Sequence, residues 1–188
     1  MHMPRADPVH RVTIIPRTIG ALGATLQLPT EERYLVTGPE LEDRIAVMLG
    51  GRVAESMIYA ELSTGAQNDL ERATETARQM VCRFGMSEAV GPVTLGQPMG
   101  MRYLDAPVSF GMERNFSEAT AELVDREVRR IVDRGEARAH DVLDARRPEL
   151  RAVVEKLMAE ETLDRDELEA ILKSARRDVP SASPSPHA

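Results

Sequence analysis

Side chains able to ligate a metal or act as nucleophiles are sparse in this sequence. There are four histidines, His2, His10, His140 and His187, and one cysteine, Cys82. Two histidines four apart on a helix, with a glutamate after the first, would put both imidazoles on one face for zinc and add a general base. No two of the four stand at that spacing. Cys82 has no histidine nearby and reads as a small buried hydrophobe. No Gly-rich loop is followed by Lys and Ser/Thr, so the chain has no P-loop and is not expected to bind ATP itself. Asp164-Arg165-Asp166 opens like a calcium loop, but Glu169 stands where that loop needs glycine, which leaves a helix cap. Two carboxylates remain. Asp69, in Ser63-Thr64-Gly65-Ala66-Gln67-Asn68-Asp69-Leu70, lies just inside a helix start, where an acid is ordinarily a dipole partner. Glu55 follows a glycine pair and borders an apolar stripe, where it needs a partner, ordinarily an arginine.

The elements that must position these groups are mostly helical. Val9 to Ile15 is rich in β-branched residues and stops at Pro16, and Ala24 to Leu28 alternates before Pro29. With a turn bracketed by Gly20 and Gly23, the two segments predict a β-hairpin. Thr37-Gly38-Pro39-Glu40 has the spacing of a capping box. Leu41, Ile45, Met48 and Leu49 follow on one face, and Val53, Ala54, Met57 and Ile58 resume it beyond Gly50-Gly51. Paired glycines inside a helix cost about 1 kcal/mol each against alanine, so they predict a neighbouring element too close for any side chain. Thr64 and Gln67 repeat the capping-box spacing. Leu70, Ala73, Ala77, Met80, Val81 and Phe84 then share a face, and Gly85 ends that helix. Residues 88–115 read as a loop, and a long helix runs from about Ser117 to Asp144. Leu150, Val153, Val154, Leu157 and Met158 form a stripe behind Pro148. Asp164 caps a last helix, with Glu167 three residues on. The fold class is mainly α with a small N-terminal β-hairpin. The residues from 174 to 188 read as a disordered tail.

Composition narrows the function. With 31 acidic against 24 basic residues the net charge is −7, which argues against a nucleic-acid partner. The longest apolar runs are too short to span a bilayer, and the N-terminal residues lack the apolar region of a secretory signal. A single cysteine excludes an internal disulfide and fits a reducing compartment. These features predict a cytoplasmic domain.

Several blocks resemble, in order, the peptidase domain of FtsH-type ATP-dependent zinc metalloproteases. They are Asp7-Pro8-Val9-His10-Arg11-Val12-Thr13-Ile14-Ile15-Pro16, Ala21-Leu22-Gly23-Ala24-Thr25, and Leu41 through Gly50-Gly51-Arg52-Val53-Ala54-Glu55. Ser63 to Leu70, Met80-Val81-Cys82-Arg83-Phe84-Gly85-Met86-Ser87 and Glu127-Val128-Arg129-Arg130-Ile131 complete the series. The resemblance implies a helical peptidase domain over residues 1–173. It also implies zinc as cofactor and protein substrates, unfolded or membrane-bound. In the family an ATPase carries ATP and forms a homo-hexameric ring at the cytoplasmic face of a membrane. Asp69 matches the family's third zinc ligand, and Glu55 matches an acid that supports the site by orienting a ligand.

The sequence departs from the family at the decisive place, because it contains no His-Glu-x-x-His. A catalytic zinc needs three protein ligands and an open position for water. Asp69 is one ligand, so the chain alone is not expected to hold zinc or to be active. Two readings follow. In the first, the chain is part of a zinc metalloprotease separated from its active-site helix, because the resemblance starts inside a family segment. In the second, it is a non-catalytic module that binds or assembles with protease rings.

Overall fold

The computed structural model describes residues 2–16, 23–28, 35–98, 112–113 and 116–177. It divides into two compact units, residues 35–140 and residues 1–34 with 141–188.

The first unit is helical. Helix α1, Gly38–Tyr59, starts where the Glu40 carboxylate accepts the Thr37 N–H at 2.6 Å, satisfying a donor the helix leaves orphaned. Helix α2, Gln67–Cys82, packs on α1 through Ala73 and Ala77, which are small and fully buried. Helix α3, Glu118–Ala145, contributes Val124, Val128 and Ile131 to the same core, around Leu41, Ile45, Leu49, Met80, Val81 and the buried Cys82. Burying each large side chain of this kind is worth about 1.5–3 kcal/mol. Gly85, at φ +61°, ends the α2 segment in the left-handed conformation that glycine adopts most readily.

Three expectations for this unit are corrected. Helix α1 runs unbroken through Gly50 and Gly51, and among the described residues nothing lies within 4 Å of a Cβ built at either. The close approach is at Gly135 instead, where a Cβ would stand 2.6 Å from Ile45 Cγ2. Leu70 and Phe84 are exposed, because the buried side of α2 is set by its alanines and by Met80 and Val81. The stretch expected as a loop contains a two-residue antiparallel ladder of β3, Gln97–Pro98, with β4, Met112–Glu113. Residues 99–111 lie outside the described residues.

A buried polar network ties the segment after α2 to α3. Ser87 is 2% exposed, and its hydroxyl donates to Glu127 Oε2 at 2.7 Å. Arg130 donates to both Glu127 oxygens at 2.9 and 2.7 Å. The hydrogen bonds from Arg130 and then from Ser87 hold the Glu127 carboxyl below the ordinary glutamate range.

In the second unit β1, Val9–Thr13, pairs antiparallel with β2, Ala24–Gln27, as expected for the hairpin. The turn expected at Gly20 lies outside the described residues. The sequence did not announce a third strand, β5, Thr162–Asp164, which pairs antiparallel with the other edge of β1. Helix α4, Arg147–Glu160, precedes it, and helix α5, Arg165–Arg177, follows. Val9, Val12, Leu157, Leu163, Leu168 and Ile171 pack together. On α4 the expected stripe is only partly buried, with Val154 and Met158 exposed at 49% and 72%. The capping box at Asp164 is present in both directions, with Asp164 Oδ1 accepting Glu167 N–H and Glu167 Oε2 accepting Asp164 N–H. Helix α5 continues through Arg177, four residues into the stretch expected as tail; residues 178–188 lie outside the described residues.

The same substitution at two glycines separates open space from contact. Gly135→Val is expected to lower stability by about 1–3 kcal/mol through overpacking against Ile45, whereas Gly51→Val is expected to be neutral within about 0.5 kcal/mol. Urea midpoints check both, and equal shifts would contradict the assignment. For Glu127 the folded carboxyl titrates below its unfolded value. Its contribution is therefore present above about pH 4.3 and lost as pH falls through the folded value. Glu127→Gln is expected to flatten the dependence of the urea midpoint on pH in that acid window.

Candidate metal-ligand site

Helix α1 delivers Glu55 near its C-terminal end and terminates at Ala60 in a left-handed conformation, φ 55°. The chain then doubles back toward α2. Glu55 Oε2 accepts the Ser63 N–H at 3.1 Å, which pins that return. Hydrogen bonds from the Ser63 hydroxyl and N–H hold the Glu55 carboxyl below its ordinary range, and the charge of Arg52 contributes less. The partner of Glu55 is therefore this turn rather than the arginine ordinarily expected.

The turn itself differs in detail from the expected cap. Ser63, not Thr64, is the capping residue, with its Oγ accepting the Gly65 N–H at 3.2 Å. A single 3-10 turn, Thr64–Ala66, then leads into α2, and Gln67 bonds Glu71 at 3.0 Å instead of reaching back. The signal for this was a serine two residues before a glycine, which favours a local side-chain to backbone turn.

Asp69 stands in the first turn of α2 with an exposed side chain. At that position it faces the positive end of the helix dipole. Around it the stretch from residue 58 to residue 70 exposes Ile58 at 61%, Tyr59 at 73%, Leu62 at 52% and Leu70 at 37%. The structure thus connects Glu55 to the segment that starts the Asp69 helix, through Ser63.

His10 lies on β1, His140 lies in α3, and His2 lies 2.9 Å from Glu149. His187 is outside the described residues. Among the described residues no three His, Cys, Asp or Glu side chains converge to hold a metal. Zinc requires three protein donors in a catalytic site, so the described residues do not by themselves fit a zinc centre. No helix among them is long and apolar enough to cross a membrane.

The model of peptidase family M41 matches residues 1–171 of the chain. Among curated relatives, the ATP-dependent zinc metalloprotease FtsH of Methylococcus capsulatus is 46% identical over 92% of the chain and 27% of its own length. The protein of the same name from Pseudothermotoga lettingae is 49% identical over 92% and 27%. That of Thermotoga maritima is 44% identical over 90% and 28%. The chain therefore spans a little over a quarter of the length of the relatives it matches. With a family match that runs from the first residue through most of α5, the chain belongs to peptidase family M41.

Proposed function

We propose that this chain is the C-terminal peptidase part of an FtsH-type ATP-dependent zinc metalloprotease that cleaves unfolded or membrane protein substrates. In this reading Asp69 supplies one zinc ligand. The two histidine ligands and the general base come from a His-Glu-x-x-His helix outside the present sequence. ATP is used by an ATPase region of the whole protein, in a hexameric ring at the cytoplasmic face of a membrane. What carries the reading is family membership together with one observation, the exposed Asp69 carboxylate at the head of α2, in a stretch from residue 58 to residue 70 that also leaves four apolar side chains exposed. Exposed apolar side chains in the stretch that carries the carboxylate suit burial against a further amphipathic helix.

The chain's own residues then have distinct tasks. Asp69 offers carboxylate oxygen, a donor that zinc accepts alongside imidazole. Glu55 touches no metal; by fixing Ser63 it sets the turn from which α2, and so Asp69, projects. Zinc, when three ligands hold it, supplies a polarised water for peptide hydrolysis.

The chain as it stands is expected to hold no stoichiometric zinc and to leave casein intact. Joining a relative's His-Glu-x-x-His segment before residue 2 is expected to yield a protein with one zinc per chain. In that background Asp69→Asn is expected to abolish zinc retention through dialysis, and Glu55→Gln to weaken it about 10–100-fold. Zinc retained in spite of Asp69→Asn would remove Asp69 from the ligand set. An extended, folded chain that never takes up zinc would favour a non-catalytic module that assembles with protease rings.

A further inference from the structure

The first described residues are held by side chains that peptide hydrolysis does not use. Glu149, in the first turn of α4, is 5% exposed. Its Oε1 accepts Arg146 Nη1 at 2.8 Å and Arg176 Nε at 3.2 Å. His2 Nε2 lies 2.9 Å from Oε2 of the same carboxylate, without an aligned hydrogen bond. The other ring nitrogen, Nδ1, lies 3.2 Å from Arg176 Nη2.

This arrangement fixes the state of the imidazole. A guanidinium nitrogen only donates, so Nδ1 must accept, and the single ring proton sits on Nε2. A second proton would have to go on Nδ1, directly against the Arg176 guanidinium. It would replace a hydrogen bond by two cations in contact, while Glu149 is already shared between two arginines.

We propose that His2, Glu149 and Arg176 form an acid-released clasp that holds residues 2–6 to the first turn of α4 and the last turn of α5. Protonation of His2 Nδ1 opens it. Burial lowers the His2 pKa; the Glu149 charge opposes this, and Arg146 and Arg176 add to the lowering. The folded value is thus below the unfolded one. The clasp contributes stability in full above about pH 6.5 and loses it as pH falls through the folded value. For Glu149, burial alone would raise the carboxyl, but the hydrogen bonds from Arg146 and Arg176 hold it below its ordinary range. It therefore stays ionised throughout the window in which His2 titrates. The clasp is independent of any zinc or peptidase activity.

Nitrogen-15 NMR of the histidine rings in the 188-residue chain tests this, with amide exchange of residues 2–6 corrected for intrinsic rates. At pH 7.5 His2 is expected to show a bare Nδ1 and a protonated Nε2. Its titration midpoint is expected below that of the free peptide Met-His-Met-Pro. Protection of residues 2–6 is expected to fall by up to about tenfold per pH unit below the midpoint. Arg176→Gln removes the opposing cation and is expected to raise the midpoint; His2→Phe is expected to abolish the pH dependence while the core signals stay in place. A proton on Nδ1 at pH 7.5, a midpoint at or above the peptide's, no rise in Arg176→Gln, or protection unchanged from pH 7.5 to 5.5 would each overturn the clasp.

Discussion

Ile45 is fully buried, and its Cγ2 occupies the space where a side chain at position 135 would begin. The core of residues 35–140 depends on that absence of a side chain, because α3 reaches α1 only where nothing intervenes. Once the two helices meet there, charged groups on both sides come within reach of one another. Arg138 lies 2.7 Å from Asp43, which is wholly buried, while Arg134 lies 3.1 Å from Glu42 and Arg52 3.5 Å from Glu136. The two half-exposed pairs contribute little to stability, but the buried one enforces the docking, since a buried carboxylate deprived of its cation is strongly destabilising. Apolar packing supplies the attraction along this seam, and the charges select its register.

Positioning of the candidate ligand follows from this core outward. With α2 fixed on α1 by Ala73 and Ala77, its first turn has one direction to take. The return from α1 is set by Glu55 on Ser63 and by Ser63 on Gly65, two consecutive local constraints upstream of Asp69. A carboxylate intended for a metal is best carried on a rigid helix with its approach fixed by hydrogen bonds, and Asp69 has that setting.

Much of this was legible in the sequence, for physical reasons. Among the described residues, apolar periodicity located four helices, α1 to α4, and the spacing of Asp164 and Glu167 announced the fifth through its cap. Asp69 and Glu55 were singled out from their places beside a helix start and an apolar stripe. The metal-related roles proposed for them came from resemblance, because an acid in a first turn looks the same whether it binds zinc or a dipole. What failed were inferences about partners distant in sequence. Gly50-Gly51 looked like a contact and is open, while Gly135, unremarked in a charged run, is the contact. Strand β5 was invisible because three residues between two helices carry no alternation to detect. The cluster on Glu149 joins residues 2 and 176, a pairing that no local pattern encodes.

The sheet of the second unit has a consequence for how the chain folds. Thr13 and Thr162 bond through their hydroxyls at 2.8 Å, across a sequence separation of 149 residues. Ribosomes add about 5–20 residues per second, so β1 waits roughly 8–30 s for its second neighbour to be synthesised. Residues 35–140 form one contiguous stretch that makes a compact unit of its own. Folding during synthesis should therefore run inside out: the central helical unit first, with β1 held only by β2, and the flanking unit sealed by the last helices to emerge. Until then β1 presents an unpaired edge, and that interval is when the nascent chain is most exposed to mispairing with another strand.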